Sequence, residues 1–489
     1  MKKIFLPFFL LCTCIIMYAQ ENDAAIGFAL RTDTARLQNK LFALSSPLYE
    51  GRAVGTEGNA AAARYLVNCM KENGLKPAAD NTFFQHIPTY RIQSAEKNFR
   101  INNFNYQSDY TYGNSSSQPF SIMGSEVVFV GYGIYSASYN DFENMNITNK
   151  IVMIMEGGTP SSKFGVPFTK EKTNSYSSDY IRSCNPKAIL MVRNGYNIYG
   201  NYATDRLVFG EIQTQASGIP EITINEMLAN KLLSPLNKSI KQLQYEIERD
   251  GKASSAAITT QVAFNGNYIY TPLNEENNLI GIIEGDSLKD EYVILCAHYD
   301  SKGKSEGGAI YYGAESNASG VSAALEIARL AAEAKKDGCL KRSLVLLLTT
   351  AKENQLGGSN FYVNNPLFPL EKTVAAVSLD KLGFSEKENV NDVYIVSRET
   401  EKCLQQVREA NQIALLDLKY KQGDEYEITL EDFDQYNFAR KNIPSITITS
   451  NYYPENEENP QDSFKFIDTE KLKLRTQFAF LTVWNLLNK

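Results

Sequence analysis

The sequence predicts an α/β fold whose main part is interrupted by a β-rich module, and two observations lead to this expectation. Apolar runs at 278–283, 292–297 and 344–348 are typical of buried strands, and a helical stretch at 319–334 lies between the last two. Strands that alternate with a helix indicate helices packed on a sheet. From residue 124 to about 260, by contrast, short β-like runs alternate with turn-rich segments. A chain of 489 residues leaves room for two or three domains.

The first twenty residues are typical of an exported protein. Two lysines precede an apolar run, and Ala19 offers a small residue for cleavage before the chain turns polar. The run is shorter than the roughly 20 residues that span a bilayer, and no later segment is long and apolar enough. We expect a signal peptide over 1–19 and a periplasmic or extracellular protein without a transmembrane segment. A lipid anchor at Cys14 stays open, although apolar residues follow it.

Composition argues against two kinds of site. A net charge of −7 repels phosphate backbones, so we expect no binding of nucleic acid. The cysteines beyond the leader are scattered, odd in number and never spaced as C-x-x-C, which indicates neither a disulfide framework nor a thiolate metal site. They are Cys69, Cys184, Cys296, Cys339 and Cys403.

The domain order follows from changes in composition along the chain. A glycine-punctuated loop at 51–58 precedes an Ala-rich helical stretch that ends before Gly74 and Pro77. Residues 98–119 are rich in Asn, Ser, Tyr and Gln, which indicates a loop or linker. We therefore expect the first part of the main domain and a linker over 20–118, the β-rich module over 119–262, and the rest of the main domain over 263–489.

Polar clusters follow the predicted strands of the main domain at the points where those strands end. They are Ala297-His298-Tyr299-Asp300, the loop 313–320, Thr350-Ala351-Lys352-Glu353-Asn354 and Ser378-Leu379-Asp380. Open α/β sheets place their sites at such strand ends. His298 and Asp300 have the spacing at which a carboxylate orients a metal-binding imidazole.

These motifs resemble the co-catalytic zinc aminopeptidase family, which includes leucine aminopeptidases and the glutamate carboxypeptidase and transferrin receptor branch. The resemblance runs from Leu41 to the end and includes Glu50-Gly51-Arg52, residues 278–300 and the loop 313–320. Gly131-Tyr132-Gly133-Ile134 is similar to the protease-associated domain that this family often carries as an insert. The resemblance implies a mixed central sheet flanked by helices, with such an insert over 119–262.

The resemblance also implies roles for four residues. Active members bind two zinc ions through two His, two Asp and one Glu, and they use a second Glu as general base. By this pattern His298 and Asp380 are retained metal ligands, and Asp300 orients His298. Glu353 occupies the position of the general base.

Other positions of the pattern are substituted. The carboxylate that bridges both metals falls on Ser316, and the next ligand falls on Asn354. The late histidine falls in the segment 453–460, where Glu458 is the nearest equivalent, and a near-site histidine aligns with Gln435. Glu315 is a candidate to supply the carboxylate that is lost at Ser316. Its side chain, one position earlier in the loop, would point in a different direction.

These substitutions argue against a two-zinc site. A serine hydroxyl supplies no negative charge to hold two cations together, and asparagine is a weak neutral ligand that suits hard cations better than zinc. Second-shell changes alone cost about 10–100-fold in metal affinity. We therefore expect no metal or one weakly bound metal, and Glu353 then has no metal-activated water to deprotonate.

Two lysines stand beside the altered positions. Lys352 replaces a small Gly of the family pattern, and Lys381 directly follows Asp380. We hypothesise that their ammonium groups balance Glu353, Asp380 or Glu458 in the absence of a metal. The alternative is that both lysines are solvated.

Two functions remain open from the sequence. In the first, the protein is an exported pseudo-peptidase that binds peptides, glycans or a protein partner through the old substrate cleft or the insert. In the second, it is a working metallo-exopeptidase that releases N-terminal residues from peptides with an altered or single-metal site.

Overall fold

The structure is a computed structural model, which describes residues 23–78, 81–106, 108–112, 120–136, 139–156, 178–193, 206–210, 219–274, 276–384, 392–397, 401–421, 430–450 and 460–489. The chain divides into two compact units. The first unit comprises Met1–Thr89 and Asn274–Lys489, and the second comprises Tyr90–Leu273. The expected signal peptide over 1–19, including Cys14, lies outside the described residues. None of the described helices is long and apolar enough to cross a membrane.

The first unit is built on a sheet of nine described strands. Their bounds are β1 Lys76–Pro77, β2 Phe84–Ile87, β12 Glu276–Ile283, β13 Leu288–His298, β16 Arg342–Thr349, β17 Thr373–Asp380, β18 Asp392–Ser397, β19 Asp417–Lys421 and β20 Ser445–Thr449. The order is β1-β12-β16-β13-β17-β20-β18-β19, and β2 also pairs with β12. Strands β16, β13, β17 and β20 are mutually parallel, whereas β12 runs antiparallel to its neighbours and β18 runs antiparallel to β20 and parallel to β19. The sheet is therefore mixed, as predicted.

Helices cover both faces of this sheet. Their bounds are α1 Thr34–Leu44, α2 Glu57–Glu72, α6 Gly320–Lys336, α7 Gly357–Asn364, α8 Glu401–Ala414, α9 Gln435–Arg440 and α10 Thr469–Asn488. One face packs against α1, α2, α6, α8 and α10 in the larger core, and the other packs against α7 and α9. Strands β16 and β17, and β13 from Val293 onward, are almost continuously buried because parallel strands are covered on both faces.

The second unit has its own sheet of nine described strands. They are β3 Thr89–Ile101, β4 Phe104–Tyr106, β5 Tyr110–Tyr112, β6 Phe120–Phe129, β7 Ile151–Met155, β8 Ala188–Arg193, β9 Arg206–Phe209, β10 Glu221–Asn225 and β11 Ala256–Pro272. Helices α3 Ser178–Ser183, α4 Glu226–Leu232 and α5 Ile240–Asp250 accompany them. Two short strands of the first unit pair with each other in a separate antiparallel ribbon. They are β14 Gly303–Lys304 and β15 Ile310–Tyr311.

The start of the second unit differs from the expected linker over 98–119. Strand β3 pairs antiparallel with β11 from Tyr90 opposite Pro272 to Ile101 opposite Val262, so the unit begins and ends outside 119–262. Short strands β4 and β5 also fall within the expected linker. Residues of this stretch pair with partners about 160 positions away, which composition alone does not reveal.

The Gly131-Tyr132-Gly133-Ile134 motif of the second unit folds around a buried carboxylate. Asp141, which is fully buried, accepts the backbone N–H groups of Tyr132 at 3.1 Å and Ile134 at 3.0 Å. The hydroxyl of Tyr139 also donates to it at 2.8 Å. Burial raises the pKa of the Asp141 carboxyl to about 6, although these hydrogen bonds act in the opposite direction.

This carboxyl should make the stability of the motif depend on pH. The folded state holds the proton of Asp141 more tightly than the unfolded chain does, so its contribution is greatest at acid pH and falls as the pH rises to about 6. We expect amide hydrogen exchange over β6 and the motif, corrected for intrinsic rates, to show greater protection at about pH 5 than at about pH 7. Asp141→Asn should abolish this difference, whereas the exposed Glu143→Gln should retain it. Equal pH dependence in both variants would contradict the assignment.

Candidate functional site

A buried arginine ties together the loops around the site. The Arg52 guanidinium donates to the backbone oxygens of Tyr299 at 2.7 Å, Tyr312 at 2.9 Å and Gly313 at 2.8 Å, and also to that of Leu44. Burial lowers the pKa of Arg52 to about 10, and the charges of Asp462 and Asp300 oppose this. One side chain therefore fixes the loop that follows β13 and the loop that precedes α6.

His298 ends β13 and lies between two carboxylates. Its Nδ1 is 3.1 Å from the backbone oxygen of Asp300 and 3.5 Å from Oδ1 of that residue, and its Nε2 is 3.5 Å from Oδ2 of Asp380. All three residues are buried. Strands β13 and β17 are parallel neighbours, so their ends bring His298 and Asp380 to one edge of the sheet.

The charges of this group shift one another's pKa values. Burial by itself would lower the pKa of His298, but the charge of Asp380 and hydrogen bonds with Asp300 and Asp380 outweigh it and raise the pKa to about 9. Burial would raise the pKa of Asp380, but His298, Lys381 and Lys352 hold it well below its ordinary range. The two retained positions thus form an ion pair with each other.

Both lysines are buried at the site rather than solvated. The Lys352 side chain is 10% exposed, and its Nζ lies 3.3 Å from Oε1 of Glu353. Burial would lower its pKa, but Asp380 and Glu353 raise it above the ordinary value. Lys381 is 3% exposed, and its Nζ lies 5.9 Å from the ring centroid of Phe433. Burial lowers the pKa of Lys381 to about 8, against the charge of Asp380.

Glu353 and Asn354 lie in the loop between β16 and α7. The Glu353 backbone N–H donates to Oδ2 of Asp300 at 3.3 Å, so the residue behind His298 also holds this loop. The backbone N–H of Asn354 donates to Ala351 at 3.2 Å within the same turn. Glu353 therefore lies next to both Lys352 and Asp300. The Asn354 side chain beside it is neutral.

Glu315 does not act as a displaced ligand in this structure. Its carboxylate accepts the N–H groups of Gly383 at 2.8 Å and Phe384 at 2.9 Å and the hydroxyl of Ser450 at 2.7 Å. Both oxygens are thus used to hold the segment that follows β17. The backbone N–H groups of Glu315 and Ser316 both donate to Asp462, at 2.7 and 3.2 Å.

Asn317 is a functional residue that the sequence reasoning missed. Its Nδ2 donates to the backbone oxygen of Leu379 at 2.8 Å, and its Oδ1 accepts the N–H groups of Gly320 and Lys381, each at 3.0 Å. It therefore joins the loop before α6 to the end of β17 and positions Lys381. It lies inside the quoted motif, but only a fold that brings residue 317 next to residue 381 reveals its role.

A further group of buried polar residues lies at the start of α9, where the sequence indicated only the position of Gln435. Asp434 accepts the hydroxyl of Thr349 at 2.9 Å, and Thr349 pairs in register with His298. Burial raises the pKa of Asp434, against the charge of His298. Gln435 is also buried, 1% exposed, and follows directly at the start of the helix.

The residues that the structure describes do not fit a two-zinc centre. His298 and Asp380 are paired with each other, the side chains of Ser316 and Asn354 are neutral, and the ammonium of Lys352 already lies at the carboxylates. Within the described ranges no group of three or more His, Cys, Asp or Glu side chains is placed to hold a metal ion. Glu458 and residues 453–459 lie outside those ranges.

One family model matches part of the chain. Residues 278–483 match peptidase family M28. No curated protein matches the chain at a significant level.

Among solved structures, the chain is similar to the aminopeptidase from Aneurinibacillus sp. strain AM-1, with 18% identity and a TM-score of 0.53 over 94% of this chain and 95% of that one. It also matches BSAP, a zinc aminopeptidase from Bacillus subtilis, with 18% identity and a TM-score of 0.48 over 94% and 97% of the two chains. A peptidase M28 precursor from Shewanella amazonensis SB2B matches with 14% identity and a TM-score of 0.49 over 96% and 97%. The first likeness establishes a shared fold.

Replacing Arg52 should destabilise the first unit. Arg52→Met would remove a donor from the backbone oxygens of Leu44, Tyr299, Tyr312 and Gly313, the last of which also accepts the N–H of Ala318, and we expect a loss of about 3 kcal/mol in the free energy of unfolding. Urea unfolding followed by the fluorescence of Trp484, the only tryptophan of the chain, measures this. Arg64→Met is the matched control because its side chain is 60% exposed, and we expect a change within about 0.5 kcal/mol. An equal effect of the two substitutions would refute the role of Arg52.

Proposed function

We propose that the protein is a peptide-binding pseudo-peptidase in which a lysine replaces the metal charge, on a chain whose residues 278–483 match peptidase family M28, as the sequence resemblance predicted. The site would bind peptides or a protein partner without hydrolysing them. It would hold no metal, or one metal weakly.

One observation carries this proposal: the buried ammonium of Lys352 lies at the carboxylates that a metal would need. Its Nζ is 3.3 Å from Glu353, and the charge of Asp380 also acts on it. The charge of Asp380 raises the pKa of Lys352, so a zinc ion at Asp380 would share that buried carboxylate with a second cation. The ammonium thus balances the charge of the buried Asp380 and of Glu353, whose side chain is 24% exposed.

The remaining substitutions support the same conclusion. Neither Ser316 nor Asn354 supplies the negative charge that two cations need to lie close together. Glu353, at the general-base position, is engaged with Lys352 rather than facing a metal-activated water. The site keeps a set of fixed charges at the sheet edge, which suits the binding of peptides or a protein partner.

The first nineteen residues and the second unit would have roles outside the site. We propose that residues 1–19 export the protein to the periplasm or the outside of the cell. We also propose that the second unit contains the protease-associated insert and takes part in binding peptides or a protein partner. The Gly131-Tyr132-Gly133-Ile134 motif supports this reading.

A working metallo-exopeptidase is the second candidate function. It is favoured by the retention of His298, Asp380 and Glu353, to which Glu458 could be added. In that case a single metal would be held and Glu353 would act as general base.

Metal analysis and an aminopeptidase assay on the purified full chain separate the two functions. We expect zinc well below one equivalent, and no hydrolysis of leucyl or alanyl p-nitroanilides beyond that of Glu353→Gln, because no metal-activated water is formed. Calorimetric titration with leucyl peptides should nevertheless show binding. Stoichiometric zinc together with turnover that Glu353→Gln abolishes would establish the exopeptidase instead.

Restoring the ligands should restore zinc binding only when Lys352 is removed. We expect Ser316→Asp with Asn354→Glu and Lys352→Gly to bind zinc about 100-fold more tightly than the unaltered chain. Titration against a competing chelator measures this. The matched control is the double variant that keeps Lys352, which should gain much less. If the double and triple variants bind zinc equally, Lys352 does not occupy the place of the metal charge.

A further inference from the structure

A layer of polar side chains is buried between the central sheet and helix α9. On β20, Ile446 and Ile448 face the larger core, so the alternate residues Thr447 and Thr449 face the side that α9 covers. Phe438 of α9 packs on this same side of the sheet. Both threonines are completely buried.

Five polar atoms in this layer have no hydrogen-bond partner within the part of the chain that the structure describes. They are the hydroxyls of Thr447 and Thr449, both amide atoms of Gln435 and Oδ1 of Asp434. The other oxygen of Asp434 accepts the hydroxyl of Thr349, so protein partners are used where they are within reach. Thr449 lies in register with Asp380, whose Oδ1 is unpartnered as well.

Leaving so many buried polar atoms unpaired is costly, since nearly all such atoms in folded proteins bond to protein or to ordered water. The chemistry of the set identifies what would satisfy it. The amide nitrogen of Gln435 donates, the oxygens of Gln435 and Asp434 accept, and the threonine hydroxyls do both. A cation would satisfy only the acceptors and an anion only the donors, whereas water satisfies both.

We infer that this layer is a binding site for ordered water, formed by Asp434, Gln435, Thr447 and Thr449. The waters bridge helix α9 to β20 and reach Oδ1 of Asp380. They thereby donate a hydrogen bond to the Asp380 carboxylate, which stabilises its buried negative charge. The four residues belong to α9, its N-terminal cap and β20, so the inference does not rest on the proposed function.

Isosteric removal of one hydroxyl tests the site because the sign of the effect depends on water. If Thr449 bonds to water, Thr449→Val loses that bond and strands the water, so the unfolding midpoint falls by about 2–4 °C. If the hydroxyl is dry and unpaired, valine removes a penalty and the midpoint rises. Thr447→Val should behave as Thr449→Val does. Trp484 fluorescence reports on the first unit, in whose core it is buried.

Thr482→Val is the matched control. Its hydroxyl is also buried and donates to the backbone oxygen of Phe478 at 3.1 Å, so its loss sets the scale for one hydrogen bond. Midpoints of Thr447→Val and Thr449→Val that fall comparably support the inference, and midpoints that stay equal or rise overturn it. A crystal structure of the unaltered chain gives an independent readout. Ordered water at the Gln435 amide supports the site, whereas a dry layer or a metal ion there overturns it.

Discussion

Four backbone carbonyls from three separate segments accept hydrogen bonds from the single guanidinium of Arg52, and the geometry of the site depends on this interaction. The charge is solvated by these peptide dipoles, and the charges of Asp462 and Asp300 also act on it. Gly51 makes the approach possible, because its φ is +73° and a Cβ there would lie 2.5 Å from the oxygens of Gly303 and Tyr311. The Glu-Gly-Arg motif is thus explained by backbone packing, with no part in chemistry.

The site itself follows from the rule that buried charges need partners. In the described residues, Asp380 is paired with His298 and is acted on by both lysines, while Glu353 is paired with Lys352. Asp300 serves two neighbours, the His298 ring and the backbone of Glu353. Under the proposed function, the neutral residues at the ligand positions and the lysines beside them belong to one change in charge balance, since the buried charge of Asp380 needs a cationic partner when no metal is held.

The sequence was sufficient for features that depend on local pattern. Apolar runs located β12, β13 and β16, and the polar residues at strand ends placed His298 and Asp380 at one sheet edge. It was insufficient where contacts join distant segments. The role of Asn317 depends on Lys381, the direction of Glu315 depends on Gly383 and Phe384, and β3 was obscured because its partner β11 lies far along the chain.

The ammonium of Lys352 differs from a zinc ion in one further respect. It is covalently part of the polypeptide, so it is present from synthesis and cannot be removed by a chelator or exchanged for another metal. A protein balanced in this way needs no loading step and is indifferent to metal scarcity. Under the proposed function, its peptide-binding site would stay intact in surroundings where organisms compete for zinc and where metalloenzymes lose their ions.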